Sequence, residues 1–463
     1  MAVVFTLCAL YVAYCLGTNP AGPFTTPDSE HYLNVSPIVP LGYPFFLKIF
    51  GARGAIIAQP ILFGAALAWL GREIVTLTRS RWLAVAVILG SIALPQIREF
   101  HASILSESLF LSLLVVFLAC CVRFAYHPTW HLMVVVAITA GLNATVRRTA
   151  FALLPVMLLM VLVQRHKLRG SHPALFFVAA LAPFLVIVGS EQAAAPLVHA
   201  GKASSLMGRH MFAKAALIDA APAPAPAKVT AGQAAGGDEV RRKLDEHLQN
   251  DYAPIRAFLA SAPPDVRAVL AMYYETCLQG GCVDRSRALM PGVDESRQTE
   301  TMGAAATARI RRAPFAFAML TAMNYQSLWT IDRLRHPERA AALTAFVAAH
   351  RPMPFEDLAF SLEPGEPFVF NGLERVRYLQ WVMSAVAIWT LAIAVVGIYA
   401  AIRRRELPPL VTIAASSALA AHSCLLLTAL LASGFSRFTL GVWPAIVMAA
   451  VCGVHALLPA RSA

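Results

Sequence analysis

Two carboxylates and an imidazole lie close together in the segment that follows the first apolar stretch of the chain. The sequence there reads Thr-Pro-Asp-Ser-Glu-His-Tyr, which places Asp28, Glu30 and His31 beside a predicted membrane boundary. A carboxylate at such a boundary can accept the proton of an attacking hydroxyl group, which is general-base chemistry. The alternative is a solvated turn, because Asp, Ser and Pro are common loop residues. The spacing leaves open whether Asp28 or Glu30 would be the base.

A third carboxylate, Glu107, stands where a later apolar run begins. A charged side chain costs about 3 kcal/mol within a membrane span unless it faces a partner or an aqueous cavity, which makes it a functional hypothesis. The alternative is an acidic residue that complements the positive end of a helix dipole. The same gap contains His101, and the first gap contains Tyr32 and Tyr43. We count these three side chains and His31 among the candidate substrate-binding residues.

Three arginines lie in short gaps on the same predicted side of the membrane as the carboxylates. Arg147 and Arg148 are adjacent in one gap, and Arg437 lies in the last gap. Basic residues of short loops tend to stay on the cytoplasmic side, so topology does not account for these three. A guanidinium fork binds phosphate through paired, charge-assisted hydrogen bonds. The alternatives are arginines that reach lipid headgroups or that pair with Glu107.

Ten apolar stretches must position these residues, and each is a candidate transmembrane helix. A helix of about 20 apolar residues spans the hydrocarbon layer and satisfies its backbone hydrogen bonds internally. The composition agrees, with 58% hydrophobic residues, 14% charged residues and a mean hydropathy of +0.62. We therefore predict an all-α bundle of about ten spans. The stretches cover residues 2–16, 55–75, 82–97, 104–124, 131–144, 150–163, 174–189, 379–401, 410–431 and 438–458.

The basic residues of the gaps predict the orientation of these spans. Eleven of the 38 lysines and arginines fall in alternate gaps, which face the cytoplasm if the N-terminus does. The gaps with candidate site residues then lie on the outer, periplasmic face of the inner (cytoplasmic) membrane. Residues 190–377 hold a balanced 21 basic and 20 acidic residues, so the net charge of +12 reflects topology. This balance argues against a nucleic-acid partner, which would need a basic stripe with interleaved aromatic side chains.

The spans divide the chain into three predicted domains. Residues 1–193 form a membrane module with the candidate catalytic gaps, residues 194–377 an exterior domain, and residues 378–463 the final membrane helices. The exterior part is long enough for a domain of ordinary size. It contains no internal repeat and no glycine pattern typical of nucleotide binding. Asp294 is a candidate cap for one of its helices.

Apolar residues of the exterior domain recur at helical spacing. Leu244, Leu248, Ile255 and Leu259 follow this period, which predicts a mainly helical domain. Charged residues between them, among them Asp245, are expected on the opposite, solvated face.

Two cysteines of this domain, Cys277 and Cys282, frame the sequence Cys-Leu-Gln-Gly-Gly-Cys. In an oxidising exterior compartment such a pair predicts a short disulfide loop. The alternatives are two free thiols or a metal site, and a metal site would need two further ligands that we do not find.

The order of these motifs along the chain resembles the GT-C superfamily of membrane glycosyltransferases, in layout the protein mannosyltransferase and aminoarabinose transferase type. The resemblance rests on Asp28 with Tyr32 and a following Pro-Leu-Gly-Tyr-Pro, on the Ser-Glu-Ser-Leu-Phe around Glu107, on Arg147, and on the Arg-Phe-Thr-Leu-Gly-Val-Trp-Pro that begins at Arg437. It covers the first seven spans and, more loosely, the last. The exterior domain matches nothing that we can place.

This resemblance implies an enzyme that moves a sugar from a polyprenyl-phosphate donor to a glycan, lipid or protein acceptor, commonly with inversion. Asp28 would be the base, Glu107 a second acidic residue that positions acceptor, sugar or an ion, and the three arginines would hold the leaving phosphate. Glu30, two residues from Asp28, departs from the pattern and keeps the choice of base open. Some relatives use a divalent metal, but no ligand set in this sequence is strong enough to predict one.

Two other functions are alternatives. A transporter or lipid flippase should carry its ionisable residues near the middle of the membrane, in helices broken by Gly or Pro within two related halves. Here the ionisable residues collect at one boundary. A non-catalytic membrane scaffold is the third interpretation, and it would tolerate the loss of Asp28, Glu107 and Arg147 together.

Overall fold

The regular secondary structure in the described part of the chain is helical. A computed structural model describes residues 1–165, 167, 173–199, 207–221, 235–262, 271, 288–329, 377–431 and 437–458. Over these ranges there is no β-strand, and the predicted all-α class is confirmed.

Two compact units divide the chain. The first unit contains residues 1–201, 381–427 and 437–463, and the second contains residues 202–380 and 428–436.

The first unit begins with nine α-helices and one short 3-10 helix. They are α1 (Ala2–Gly17), α2 (Pro27–Leu33), α3 (Gly42–Thr78), α4 (Arg81–Ile92), α5 (Pro95–Ala102), α6 (Ser106–Tyr126), α7 (Trp130–Val146), the 3-10 helix η1 (Arg148–Leu153), α8 (Leu154–Gln164) and α9 (Pro173–Val198).

The chain is a multi-pass membrane protein by the length and composition of its helices. Five described helices are long and apolar enough to cross a membrane, or six if α4 and α5 form one bent span. Four shorter apolar helices lie at the remaining predicted stretches. The structure therefore supports five or six spans and does not establish the predicted number of ten.

Two differences between the predicted spans and the observed helices have a local cause. α3 begins at Gly42, well before the predicted start at residue 55, and it is broken at Gly51, where φ is 66°. A left-handed φ of this kind favours glycine, so Gly51 separates a short leading helix from the apolar run.

The second difference is the bend of 62° between α4 and α5, where one continuous span was predicted. Leu94 is extended (φ −90°, ψ 124°) and Pro95 opens α5. Proline disfavours the helical conformation of the residue before it, which explains the break.

The second unit has a helical core of its own. Its helices are α10 (Met207–Leu217), α11 (Ala235–Asn250), α12 (Ala253–Ser261), α13 (Glu295–Arg312) and α14 (Pro314–Leu328). Leu244, Leu248, Ile255 and Leu259 are buried in its core, as their helical spacing predicts. The Asp294 side chain accepts a hydrogen bond from the Arg297 N–H at the start of α13, so the predicted cap is confirmed.

Asp245 is buried, and the prediction that it lies on a solvated face is wrong. Its Oδ1 lies 2.5 Å from Arg312 Nη2 and 3.7 Å from Arg309 Nη1. Arg309 is fully buried and donates to the carbonyls of Ala215 and Ile218. A buried guanidinium needs a nearby carboxylate, so this charge pairing draws Asp245 into the core.

Four helices complete the described chain. They are α15 (Arg377–Ile402), α16 (Pro409–Leu431), the short α17 (Arg437–Gly441) and α18 (Trp443–Leu457). The indole of Trp443 donates to the Gly90 carbonyl at 2.8 Å and attaches the start of α18 to the end of α4. Cys277 and Cys282 lie outside the described residues, so the disulfide stays a prediction.

Candidate functional site

The short helix α2 is attached to the junction between α5 and α6. The Phe24 N–H donates to the Ala102 carbonyl at 2.9 Å, and the Ile104 N–H donates to the Phe24 carbonyl at 3.0 Å. The Ser29 hydroxyl donates to the Ile104 carbonyl at 2.9 Å. These bonds hold α2, with Asp28 in its first turn, against the segment that leads into Glu107.

The central feature of the site is an ion pair between the start of α6 and the end of α7. Arg147 Nη1 lies 2.9 Å from Glu107 Oε1, and the two side chains are 16% and 2% exposed. The Arg147 guanidinium lies over the rings of Phe110 and Phe438, at 5.9 and 5.3 Å from their centroids. A guanidinium that stacks on aromatic rings can still bond an anion through its edge.

Arg147 reaches this pair because α7 ends just before it. Arg147 itself is extended, with φ −144° and ψ 128°. Its N–H still donates to the Asn143 carbonyl at 2.9 Å. η1 then begins at Arg148, so a single extended residue separates the two helices.

Tyr32 connects α2 with the ion pair. Its phenol oxygen lies 2.9 Å from the Ser106 hydroxyl, next to Glu107. Burial raises the pKa of Tyr32 to about 12, and the charges of Glu107 and Asp28 also raise it, while Arg147 lowers it. The Tyr32 phenol is therefore within the electrostatic reach of both candidate acids and of the arginine.

Tyr43 belongs to a buried support beneath Tyr32. The two rings meet edge to face with centroids 4.9 Å apart. The Tyr43 hydroxyl donates to Gln59 Oε1 at 3.0 Å. Gln59 Nε2 donates to the carbonyls of His101 and Ser103 at 2.9 and 3.2 Å, and so joins α3 to the α5–α6 junction.

His101 lies in the packed interior of the first unit. Its side chain is fully buried, and Nδ1 lies 2.6 Å from the Ser108 hydroxyl. Its ring packs against Tyr11 and Phe63, with centroids 6.0 and 5.0 Å away. This setting is that of a side chain that supports α6 from within.

The three ionisable residues of α2 have different surroundings. Asp28 is partly buried and interacts with the Tyr32 phenol. Glu30 and His31 are exposed, and their side chains make no hydrogen bond or ion pair with any described residue. Of the two carboxylates of α2, Asp28 is the one whose charge acts on Tyr32, which also lies within the electrostatic reach of Glu107 and Arg147.

Arg148 faces away from Glu107 and binds another carboxylate. Its Nη1 and Nη2 lie 2.6 and 2.9 Å from the two carboxylate oxygens of Glu191 on α9. Glu191 Oε1 also accepts a hydrogen bond from the Leu41 N–H at 3.1 Å. The two adjacent arginines therefore do not form one common phosphate clamp in this structure.

Arg437 begins α17, and its side chain lies outside the described part of the chain. The next residue, Phe438, places this end of α17 beside Arg147.

Sequence reasoning missed Glu191 and Gln59, and it included Ser106 only as part of the motif around Glu107. Glu191 belongs to residues 190–377, whose balanced charges predict a solvated surface, yet it is buried in α9. A signal was present, because it is the first charged residue after a long apolar run and lies on the same continuous helix. Gln59 is likewise a lone amide within an apolar helix, where polar groups usually bond another helix.

The arrangement can bind an anion and accept a proton on neighbouring groups. Arg147 supplies the positive charge, Asp28 and Glu107 supply carboxylates, and Tyr32 supplies a hydroxyl beside all three. Within the described residues, no three His, Cys, Asp or Glu side chains come together as a metal site would require.

Compared with models of protein families, with curated proteins and with solved structures, the chain has no significant match. Its function is therefore argued from the geometry of this site.

Proposed function

We propose that the chain is a membrane glycosyltransferase that moves a sugar from a polyprenyl-phosphate donor to the hydroxyl group of an acceptor. The observation that carries this proposal is the Glu107–Arg147 ion pair, with Tyr32 within the electrostatic reach of this pair and of Asp28. A sugar–phosphate bond is already activated. The protein therefore needs to orient the acceptor, remove its proton and stabilise the departing phosphate.

Each group has a role in this reaction. Asp28 takes the proton of the acceptor hydroxyl as its oxygen forms a bond to the anomeric carbon. The bond between that carbon and the phosphate oxygen breaks, and the electron pair leaves with the carrier phosphate. Arg147 stabilises the charge that develops on this phosphate through charge-assisted hydrogen bonds. The acceptor is a glycan, a lipid or a protein.

Donor binding and the acidic side chain Glu107 are coupled in this proposal. Arg147 is bonded to Glu107, so a phosphate that binds Arg147 must share or replace that carboxylate. Replacement leaves Glu107 in place to accept a hydrogen bond from the sugar or the acceptor. A buried carboxylate that has lost its cation strongly favours a hydrogen bond from a hydroxyl group of the sugar or the acceptor.

The proposed orientation places this site on the outer face of the cytoplasmic membrane. Its support is the set of basic residues at the ends of the helices remote from the site, which include Arg123, Lys167 and Arg403. Short basic loops of this kind stay on the cytoplasmic side.

The proposal is tested with purified protein and a panel of polyprenyl-phosphate sugars, by measuring the carrier phosphate that is released. The variant Asp28→Asn is expected to lower turnover by at least about 100-fold, because it removes the general base. Glu30→Gln is the matched control and is expected to retain turnover within about threefold, because Glu30 is exposed.

Three results would contradict this assignment. Failure with every donor would remove the transferase proposal, as would full turnover in Asp28→Asn and Glu30→Gln alike. Loss of turnover in Glu30→Gln alone would make Glu30 the base.

Transport of a lipid or lipid-linked glycan is the second candidate function. The observation that favours it is a series of buried polar side chains in α16, where Ser416, Ser417 and Thr428 lie. His422 on the same helix lies 2.9 Å from the Thr390 hydroxyl on α15. Polar contacts of this kind also join helices in ordinary bundles. Movement of a labelled lipid across proteoliposomes without release of carrier phosphate would favour transport.

A further inference from the structure

Glu191 lies at the meeting point of three elements of the first unit. It is carried by α9, and its carboxylate binds the guanidinium of Arg148, the first residue of η1. It also binds the N–H of Leu41, which precedes α3. The carboxylate is 6% exposed and the Arg148 side chain 42%, so solvent reaches this pair only from the side of the arginine.

The two residues bound by Glu191 are direct neighbours of site residues. Arg148 follows Arg147 in the chain, and Leu41 lies two residues before Tyr43. Since a trans peptide holds consecutive Cα atoms at a fixed separation, a shift of the Arg148 or Leu41 backbone is passed on to the chain beside it, where the site residues lie.

A close backbone approach strengthens this connection. A Cβ atom added to Gly42 would lie 2.7 Å from the carbonyl oxygen of Thr145, so the start of α3 fits against the end of α7 only without a side chain. Thr145 stands two residues before Arg147. Two contacts thus hold the start of α3 against the end of α7. One is the packing of Gly42 on Thr145, and the other is the carboxylate of Glu191, which binds Leu41 and Arg148.

We infer that Glu191 is a positioning residue that holds the Arg147 guanidinium in the orientation that receives the phosphate. Glu191 binds Arg148 and fixes its position against α9. The position of Arg148 in turn determines the direction of the side chain of Arg147, the extended residue between α7 and η1. The inference rests on the proposed function for the role of Arg147. The placement of Arg147 by Glu191 can be tested without any substrate.

The ligand-free test measures how fast phenylglyoxal modifies Arg147 in the full-length protein, located by mass spectrometry of chymotryptic peptides. In Glu191→Gln the rate at Arg147 is expected to rise about fivefold, because a guanidinium that loses its fixed geometry is more often exposed. The amide still accepts the Leu41 N–H, so the variant isolates the charge pair with Arg148.

The matched control is Glu73→Gln in the same unit. Glu73 pairs with Arg123 at 3.5 Å, and the exposures of this pair, 51% for the arginine and 6% for the glutamate, resemble the 42% and 6% of Arg148 and Glu191. Because Glu73 lies near the opposite end of α3, this variant should leave the modification rate at Arg147 unchanged.

Arg148→Met breaks the same contact from its exposed side and serves if Glu191→Gln does not fold. The double variant should match either single variant, because both changes remove one interaction. An unchanged rate at Arg147 in both single variants, or an equal rise in Glu73→Gln, would overturn the inference.

Kinetics supply the second measurement. With a polyprenyl-phosphate sugar, Glu191→Gln is expected to lower kcat/KM about tenfold, since a misplaced Arg147 binds the donor phosphate less well and stabilises its developing charge less. An unchanged kcat/KM would contradict the positioning role. A wild-type protein that releases no carrier phosphate would remove the proposed transferase, and the modification rates would still decide whether Glu191 positions Arg147.

Discussion

Arg147 and Arg148 are neighbours in the sequence, and the structure gives them opposite settings. Arg147 occupies the extended link between α7 and η1, is 16% exposed, and meets Glu107 between two aromatic rings. Arg148 is 42% exposed and holds Glu191 through two hydrogen bonds. One arginine faces the candidate acids, and the other fastens the surrounding helices.

The difference shows that a pair of arginines is not one binding site merely because it is adjacent. A bidentate contact in a half-exposed place supplies geometry and little energy, because water screens it. A buried ion pair leaves its carboxylate with much less compensation when the arginine is removed. The predictions below test whether the two pairs differ in this way.

The largest expected effect is on stability. Arg147→Met leaves the buried Glu107 carboxylate without its cation and is expected to lower the free energy of unfolding by about 3–5 kcal/mol. Arg148→Met is expected to cost about 1 kcal/mol, because solvent reaches that pair. Denaturant titration in detergent, followed by circular dichroism, measures both losses.

A double variant sharpens this result. Adding Glu107→Gln to Arg147→Met removes the unpaired charge, so much of the lost stability should return. Equal losses for Arg147→Met and Arg148→Met, with no recovery in the double variant, would show that the two pairs are energetically alike.

The next effect is on catalysis. Arg147→Lys keeps the charge and loses the planar fork, and it is expected to lower kcat/KM by about 100-fold if Arg147 stabilises the departing phosphate. Arg148→Lys should lower kcat/KM by about tenfold, because it acts only through the position of Arg147. The reverse order of the two losses in a carrier-phosphate release assay would transfer the phosphate role to Arg148.

The sequence predicts the helices of this protein better than their contacts. The apolar run predicted over residues 104–124 appears as Ser106–Tyr126, because membrane helices follow from composition alone. The break at Pro95 and the positive φ of Gly51 are local effects of a proline and a glycine. Both residues lie inside apolar runs, so the apolar pattern gives no sign of either break.

The contacts of charged residues depend on packing between distant segments. Nothing near Asp245 indicates that Arg309 and Arg312 will bury it. In the same way, nothing near Arg148 indicates that Glu191 will separate it from Arg147, because α9 is distant in sequence. The proximity of Glu107 and Arg147 was among the alternatives that the sequence left open. The preference for Asp28 over Glu30 as the base depends on the attachment of α2 to the α5–α6 junction, which the sequence does not show.

The smallest expected effect is a change in the titration of Tyr32, which reports the two charges directly. Its pKa is raised to about 12, chiefly by burial and in part by the charge of Glu107, while the charge of Arg147 acts to lower it. Glu107→Gln removes a negative charge that opposes the phenolate, so the pKa should fall. Arg147→Met removes a positive charge that favours the phenolate, so the pKa should rise. Arg148→Met should leave it unchanged, because Arg148 faces Glu191.

Ultraviolet difference absorbance against the Tyr32→Phe variant isolates this one phenol among the eleven tyrosines. The Glu107→Gln measurement is the most accessible, because it moves the titration to lower pH, where the fold is less disturbed by alkali. A shift of the same size in Arg148→Met would mean that both arginines share the field at Tyr32. The assignment of phosphate binding to Arg147 and of a structural contact to Arg148 would then lose its electrostatic basis, whatever the stability measurements show.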